Sequence, residues 1–217
     1  MKSDAQIRQD VTEELKWDQA INASRISVDV DQGVVTLAGH VISYAEKWHA
    51  EQATQRVAGV KAMTVEIDVI LPESSHRSDG DIARSVENVI EWNTYLPKGQ
   101  VNVTVEKGWV TLTGEVDWDY QKLALANSLG PLMGVKGVSN KITIRPVIAL
   151  NDVKSDIEAA LRRRANSNVP HVLVHVDKED VTLYGIVDNW LERDLARNIA
   201  WGTPGVKNVI NNITIAW

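Results

Sequence analysis

Chemistry in this chain would have to come from five histidines, a few neighbouring carboxylates, one run of arginines and a set of tryptophans and tyrosines; there is no cysteine. His171 and His175 lie four residues apart in a segment that alternates like a strand. They would share one face but sit roughly 13 Å apart, too far to ligate one metal together, so they are expected to be surface residues. Asp117 and Asp119 flank the position where a helix needs an N-cap, which accounts for them without acid–base catalysis. Arg162, Arg163 and Arg164 follow one another at the predicted end of a helix, where basic side chains complement the dipole; contact with a lipid phosphate or an acidic partner is the sharper alternative. Tyr44, Trp118, Tyr120 and Trp190 gather where helices begin, and Trp17 and Trp92 stand near two other helix ends. Such aromatics either cover a small core or form a rim that enters a membrane interface or grips a partner. None of these groups forms a catalytic or metal-binding constellation, so no enzymatic activity, metal or cofactor is expected.

The elements that position these residues come from one stretch repeated three times. Val28–Val41, Val103–Val116 and Val174–Val187 align without gaps, at offsets of 75 and 71 residues. Each alternates apolar and polar residues with period two around a turn, the pattern of a half-buried β-hairpin. Asp31-Gln-Gly33 and Glu106-Lys-Gly108 suggest a three-residue loop ending on a left-handed glycine; Glu179 in the third copy suggests a different turn. Gly39, Gly114 and Gly185 stand in the inward row, and a strand-interior glycine often marks a close backbone approach, so a helix is expected to pack directly over them.

An amphipathic helix precedes each hairpin, with Ile7, Val11 and Leu15 on its buried stripe in the first copy. A second helix follows from Ser43-Tyr-Ala-Glu46, Trp118-Asp-Tyr-Gln121 and Asn189-Trp-Leu-Glu192, two of which are full capping boxes. Gly59, Gly134 and Gly205, each followed by Val-Lys, are expected to end these helices at C′. A third strand closes each unit. The predicted fold class is therefore α+β: three tandem α-β-β-α-β units, each a three-stranded sheet with two helices on one face, spanning residues 1–72, 78–146 and 149–217. Residues 71–80 form a polar connection, whereas 145–150 is short and apolar and is expected to hold the second and third units more closely.

The net charge of −6 divides as −4, −1 and −1 over the units, without a basic stripe. That argues against nucleic acid as a partner and removes long-range attraction to anionic lipid. No apolar run is long enough to span a bilayer. The polar start Met1–Gln6 lacks a secretory signal, so the expected location is cytoplasmic, or periplasmic if a leader has been removed. On the outward face of the third hairpin, Leu173, Tyr184 and Ile186 cluster where the other copies carry Ser27, Ala38, His40 and Asn102, Thr113, Glu115. A contiguous apolar group of this kind suggests a contact surface, for another unit, a second chain or an outside partner.

The α-β-β-α-β order, the Val-x-Leu-x-Gly-x-Val strand and the Gly-Val-Lys exit resemble the BON domain, a bacterial unit named for osmotically induced periplasmic protein Y and nodulation proteins. The resemblance covers essentially the whole chain, three times over. Tandem copies without other domains are similar to the osmotic-stress proteins of that family. The resemblance implies binding without catalysis: association with phospholipid membranes or envelope proteins under osmotic or envelope stress. A soluble holdase-like stress protein or scaffold is one alternative, and a potassium-binding sensor, as in one branch of the family, is another.

Overall fold

The computed structural model describes residues 2–96, 99–145, 153–164, 172–177 and 180–216. It contains three units of identical element order. In the first, α1 (Asp4–Trp17) precedes β1 (Ile26–Asp31), β2 (Val34–Val41), α2 (Tyr44–Arg56) and β3 (Ala62–Val69). The second has α3 (Asp79–Trp92), β4 (Val101–Glu106), β5 (Trp109–Val116), α4 (Asp119–Leu129) and β6 (Gly137–Ile144). The third has α5 (Val153–Arg164), β7 (Leu173–Asp177), β8 (Asp180–Val187), α6 (Trp190–Trp201) and β9 (Asn208–Ile215). Each sheet has its strands in chain order, the first two antiparallel and the last two parallel. The parallel pair needs a crossover, and the second helix supplies it.

The expected helix stripe is the buried one: Ile7, Val11 and Leu15 in α1, Ile82 and Val86 in α3, Val153, Ile157 and Leu161 in α5. These meet the inward hairpin residues, such as Val35, Leu37 and Val41 in the first unit and Val110, Leu112 and Val116 in the second. Each unit thus has its own core.

The hairpin turn differs from the three-residue loop suggested by the sequence. Asp31 pairs with Val34 and Glu106 with Trp109, leaving two-residue turns. Both turn residues have positive φ, at 50° and 80° for Gln32-Gly33 and 51° and 81° for Lys107-Gly108, the signature of type I′. In the third unit the register Asp177–Asp180 leaves the same two positions, although Glu179 lies outside the described residues. The non-glycine residue at positive φ is held from two sides. The Asp4 carboxylate accepts the N–H groups of Gln32 and Gly33, both at 2.9 Å, and Asp79 does the same for Lys107 and Gly108. The Lys61 and Lys136 N–H groups donate to the Gly33 and Gly108 carbonyls at 2.9 Å. The Gly-Val-Lys exit is therefore a latch on the hairpin.

Neither glycine column plays the role expected of it. No helix covers Gly39 or Gly114. Their φ values are 141° and 130°, and a Cβ there would collide with the carbonyls of Arg25 and Gln100 on the chain leading into the neighbouring strand. Gly185 shares this geometry, with φ at 151°. Helix packing over glycine occurs instead at Gly59 and Gly134, where a Cβ would meet the Ile7 side chain at 3.3 Å and that of Ile82 at 2.9 Å. Nor do these glycines sit at C′. The helices end at Arg56, Leu129 and Trp201, and Gly59, Gly134 and Gly205 take positive φ in the turn that follows.

The three units close into a ring. Tyr44, the first residue of α2, packs on the second unit's core beside Val138. Asp119, at the equivalent position of α4, interacts electrostatically with Arg197 of the third unit's α6. Trp190, the first residue of α6, packs on the first unit's core, and its indole N–H donates to the Val60 carbonyl at 2.8 Å. One position of the repeat therefore makes all three junctions, and the last returns to the start of the chain. The 146–150 connection lies outside the described residues.

Candidate functional site

Capping fixes where the second-helix aromatics stand. Ser43 and Asn189 accept the N–H of the residue three positions on, at 3.1 and 2.9 Å. Trp118 cannot do so, and only the reciprocal half of its box exists: the Gln121 side-chain oxygen accepts from the Asp117 and Trp118 N–H groups, each at 3.0 Å. The equivalent Glu46 is buried, its carboxylate accepting from Ile42 at 3.0 Å and Asn22 at 2.8 Å. Where the first unit offers the Asn22 N–H, the second has Pro97, which carries none; there the Gln121 amide donates to the Tyr95 carbonyl instead. The Glu-to-Gln difference follows the polarity of the group each must satisfy.

The aromatics expected to form one rim are separated by this arrangement. Tyr44 and Trp190 belong to unit junctions, and Trp190 also carries the Arg193 guanidinium 4.9 Å from its ring centroid. Neither is available to a rim while the ring stays closed. Trp118 is half-buried. Tyr120 is exposed and meets Tyr95 edge-on, with centroids 5.8 Å apart. Trp17 and Trp92, by contrast, are each 84% exposed at equivalent positions of α1 and α3. They do not cover the cores. In the third unit this position is Arg163, also exposed; its neighbour Arg162 lies 3.5 Å from Glu158, and the Arg164 side chain is outside the described residues.

Leu173, Tyr184 and Ile186 are 72%, 44% and 58% exposed on the outer face of the third sheet. Cross-strand pairing sets Leu173 against Tyr184, and Ile210 of β9, paired with Thr182, extends the patch. Among the described residues no neighbouring unit covers these three side chains, so docking on another unit, one of the three expected possibilities, is not seen there. Ile210 was not singled out in the sequence, yet the period-two alternation of β9 would have found it: its counterparts are Thr64 and Ser139. His175 is exposed beside this patch and His171 lies outside the described residues.

Two carboxylates at the junctions have pKa values above the usual carboxylate range. Burial raises Glu51 of α2, partly offset by Lys47, and burial raises Asp119, partly offset by Arg197 and Lys122. The Tyr44 phenol is pushed up by burial and by the charge of Glu51, against hydrogen bonding to the Val138 backbone. Among the described residues no group of three or more His, Cys, Asp or Glu side chains could hold a metal ion, and no helix is long and apolar enough to cross a membrane.

No curated protein matches the chain. Among solved structures it is similar to the C-terminal domain of CdsD, the structural protein of the type III secretion system of Chlamydia trachomatis, at 16% identity and a TM-score of 0.26 over 100% of both chains. A second CdsD structure gives 14% identity and a TM-score of 0.27 over 96% of this chain and 91% of that one. The family model for the BON domain matches residues 3–70, 78–146 and 150–216, one match per structural unit, and the chain belongs to the BON-domain family as a tandem of three such domains.

Proposed function

We propose that this protein is a non-catalytic binding module that associates with phospholipid membrane surfaces, in the setting of osmotic or envelope stress. The observation that carries this reading is the pair Trp17 and Trp92, each 84% exposed at the same position of two first helices. Tryptophan left in water by a folded domain is suited to the interfacial layer of a bilayer, where its ring is buried and its N–H stays hydrated. Membership of the BON family supports the same class of function. With a net charge of −6, attraction to anionic lipid contributes little, and binding is weak and aromatic in character.

The test is co-sedimentation with vesicles of phosphatidylethanolamine and phosphatidylglycerol at low and moderate salt. Trp17→Ser/Trp92→Ser should abolish binding and leave the melting profile unchanged. Undiminished binding by that variant, or no binding by the parent, overturns the reading. A second reading, a scaffold with a protein partner, is favoured by one feature: the open patch of Leu173, Tyr184, Ile186 and Ile210, whose flat sheet surface suits another protein better than a bilayer.

A further inference from the structure

Among the described residues, the junction between the first and second domains is hollow. A cavity of about 150 Å³ opens there, lined by Tyr44, Trp48 and His49 from α2 and by Ala126, Pro131 and Val138 from the second domain, with Ala45 and Gly130 also at its wall. Its size follows from the residue types at equivalent positions. The junction between the third and first domains begins with Trp190 and Leu191, where this one has Tyr44 and Ala45. Ala126 stands where the other domains carry Glu51 and Arg197, and Gly130 where they carry Gln55 and Trp201. Three positions that carry larger side chains in both other domains, those of Ala45, Ala126 and Gly130, are small here, on both sides of the same gap. A well-packed interior leaves few voids larger than a water molecule, so coincident loss of volume at one junction distinguishes a pocket from a packing defect.

The geometry points to a ligand site at this junction for a small uncharged aromatic ring. Three properties select that class. Apolar cavities of about 150 Å³ accommodate a benzene-sized molecule. The walls carry the Tyr44 and Trp48 rings opposite Pro131 and Val138, surfaces that receive a flat ring by offset or edge-on stacking. Among the described residues lining the cavity there is no Lys, Arg, Asp or Glu, so the wall itself carries no fixed charge to pair with an ion; the nearest carboxylates, Asp18 beside His49 and Glu51 near Tyr44, stand behind it. His49, Asn127 and Asn140 supply polar groups for one hydroxyl or ring nitrogen on the ligand. The Asn140 amide already donates to the Lys122 carbonyl at 2.9 Å, which leaves His49 and Asn127 as the groups for that contact. The site lies between domains, so an occupant would brace the first junction. This inference is independent of membrane binding, since Trp17 and Trp92 do not line the cavity.

The experiment titrates the full chain with indole and with benzyl alcohol, followed by two-dimensional NMR, with tetramethylammonium as the charged comparison. The expected result is saturable shifts of the Trp48 indole and Ala126 methyl signals by both neutral rings and none by tetramethylammonium. Ala126→Leu fills the cavity and should weaken binding at least tenfold; Ala45→Leu fills it from the other domain and serves if the first variant does not fold. Absence of saturable binding by either ring overturns the proposal, as does binding undiminished in the filled variants. A response to tetramethylammonium alone would also overturn it, by replacing a neutral ligand with a cation.

Discussion

Truncating Trp190 tests whether the ring is closed. Its indole packs on the first domain's core and donates to the Val60 carbonyl at 2.8 Å. Removing a fully buried Trp side chain costs about 3–5 kcal/mol. This ring is half-buried and shares its contacts with its own domain, so about 2 kcal/mol of packing is assigned to the junction. Leaving the Val60 carbonyl without its donor adds about 1 kcal/mol. Trp190→Ala should therefore shift the balance between closed and open forms by about 3 kcal/mol, roughly a hundredfold. Trp190→Phe retains most of the packing and loses the N–H, so about 1 kcal/mol is expected.

Scanning calorimetry and small-angle scattering read this directly. In Trp190→Ala the first domain should melt separately from the other two, the radius of gyration should increase, and the 71–78 connection should become easier to cleave. Trp190→Phe should fall between that variant and the parent. A Trp190→Ala protein with the parent's single transition and unchanged radius would refute closure through this residue. It would return Trp190 to the set of aromatics available to a membrane or partner.

The remaining expectations concern other parts of the fold. Gly114→Ala combines positive φ with a collision against the Gln100 carbonyl and should cost about 3 kcal/mol or more by urea denaturation. Gly99→Ala, also at positive φ but with open space around its Cβ, should cost only about 1 kcal/mol. Leu173→Asp/Ile186→Asp should leave the melting temperature within a degree or two while removing whatever association the third sheet supports in sedimentation or pull-down with a defined partner. Burial raises the Glu51 pKa, so the folded form binds its proton more tightly than the unfolded chain. Its stabilising effect is complete below the unfolded value and is lost as pH rises through the raised folded value. Glu51→Gln should accordingly raise the melting temperature at neutral pH and flatten its dependence above pH 4.5, the ordinary value for this group; a steeper dependence would contradict the burial assignment.

Much of the fold is legible in the sequence because the same alternation occurs three times. Period-two rows place Val35, Leu37 and Val41 inside, and the four-residue spacing of Ile7, Val11 and Leu15 marks the helix stripe, all buried as the pattern requires. The glycines are visible as columns but their causes are not. A strand-interior glycine signals close approach without saying what approaches, and at Gly114 it is backbone rather than a helix. The two-residue turn was hidden because Gln32 and Lys107 at positive φ are uncommon choices for non-glycine residues; their tolerance depends on Asp4 and Asp79, more than twenty residues away. Trp190 presented the same difficulty. In an isolated helix it is an exposed first-turn residue, and only the return of the third domain to the first gives it a partner.

Divergence among the repeats is concentrated where they touch one another or solvent. Tyr44, Asp119 and Trp190 occupy one position, yet one stands at a cavity, one is a partly buried carboxylate in the field of Arg197 and one is a hydrogen-bonded indole. Stability alone would favour filling all three in the same way, because each empty volume forfeits contact energy. The outer faces diverge too: the first and second sheets present Ala38, His40, Thr113 and Glu115 where the third presents Tyr184 and Ile186. The cores, in contrast, keep Val, Leu and Val at the three inward hairpin positions in every copy. Exposed indoles on two domains and an open apolar sheet on the third give different members of the ring different surfaces, with the shared core holding those surfaces in fixed relation.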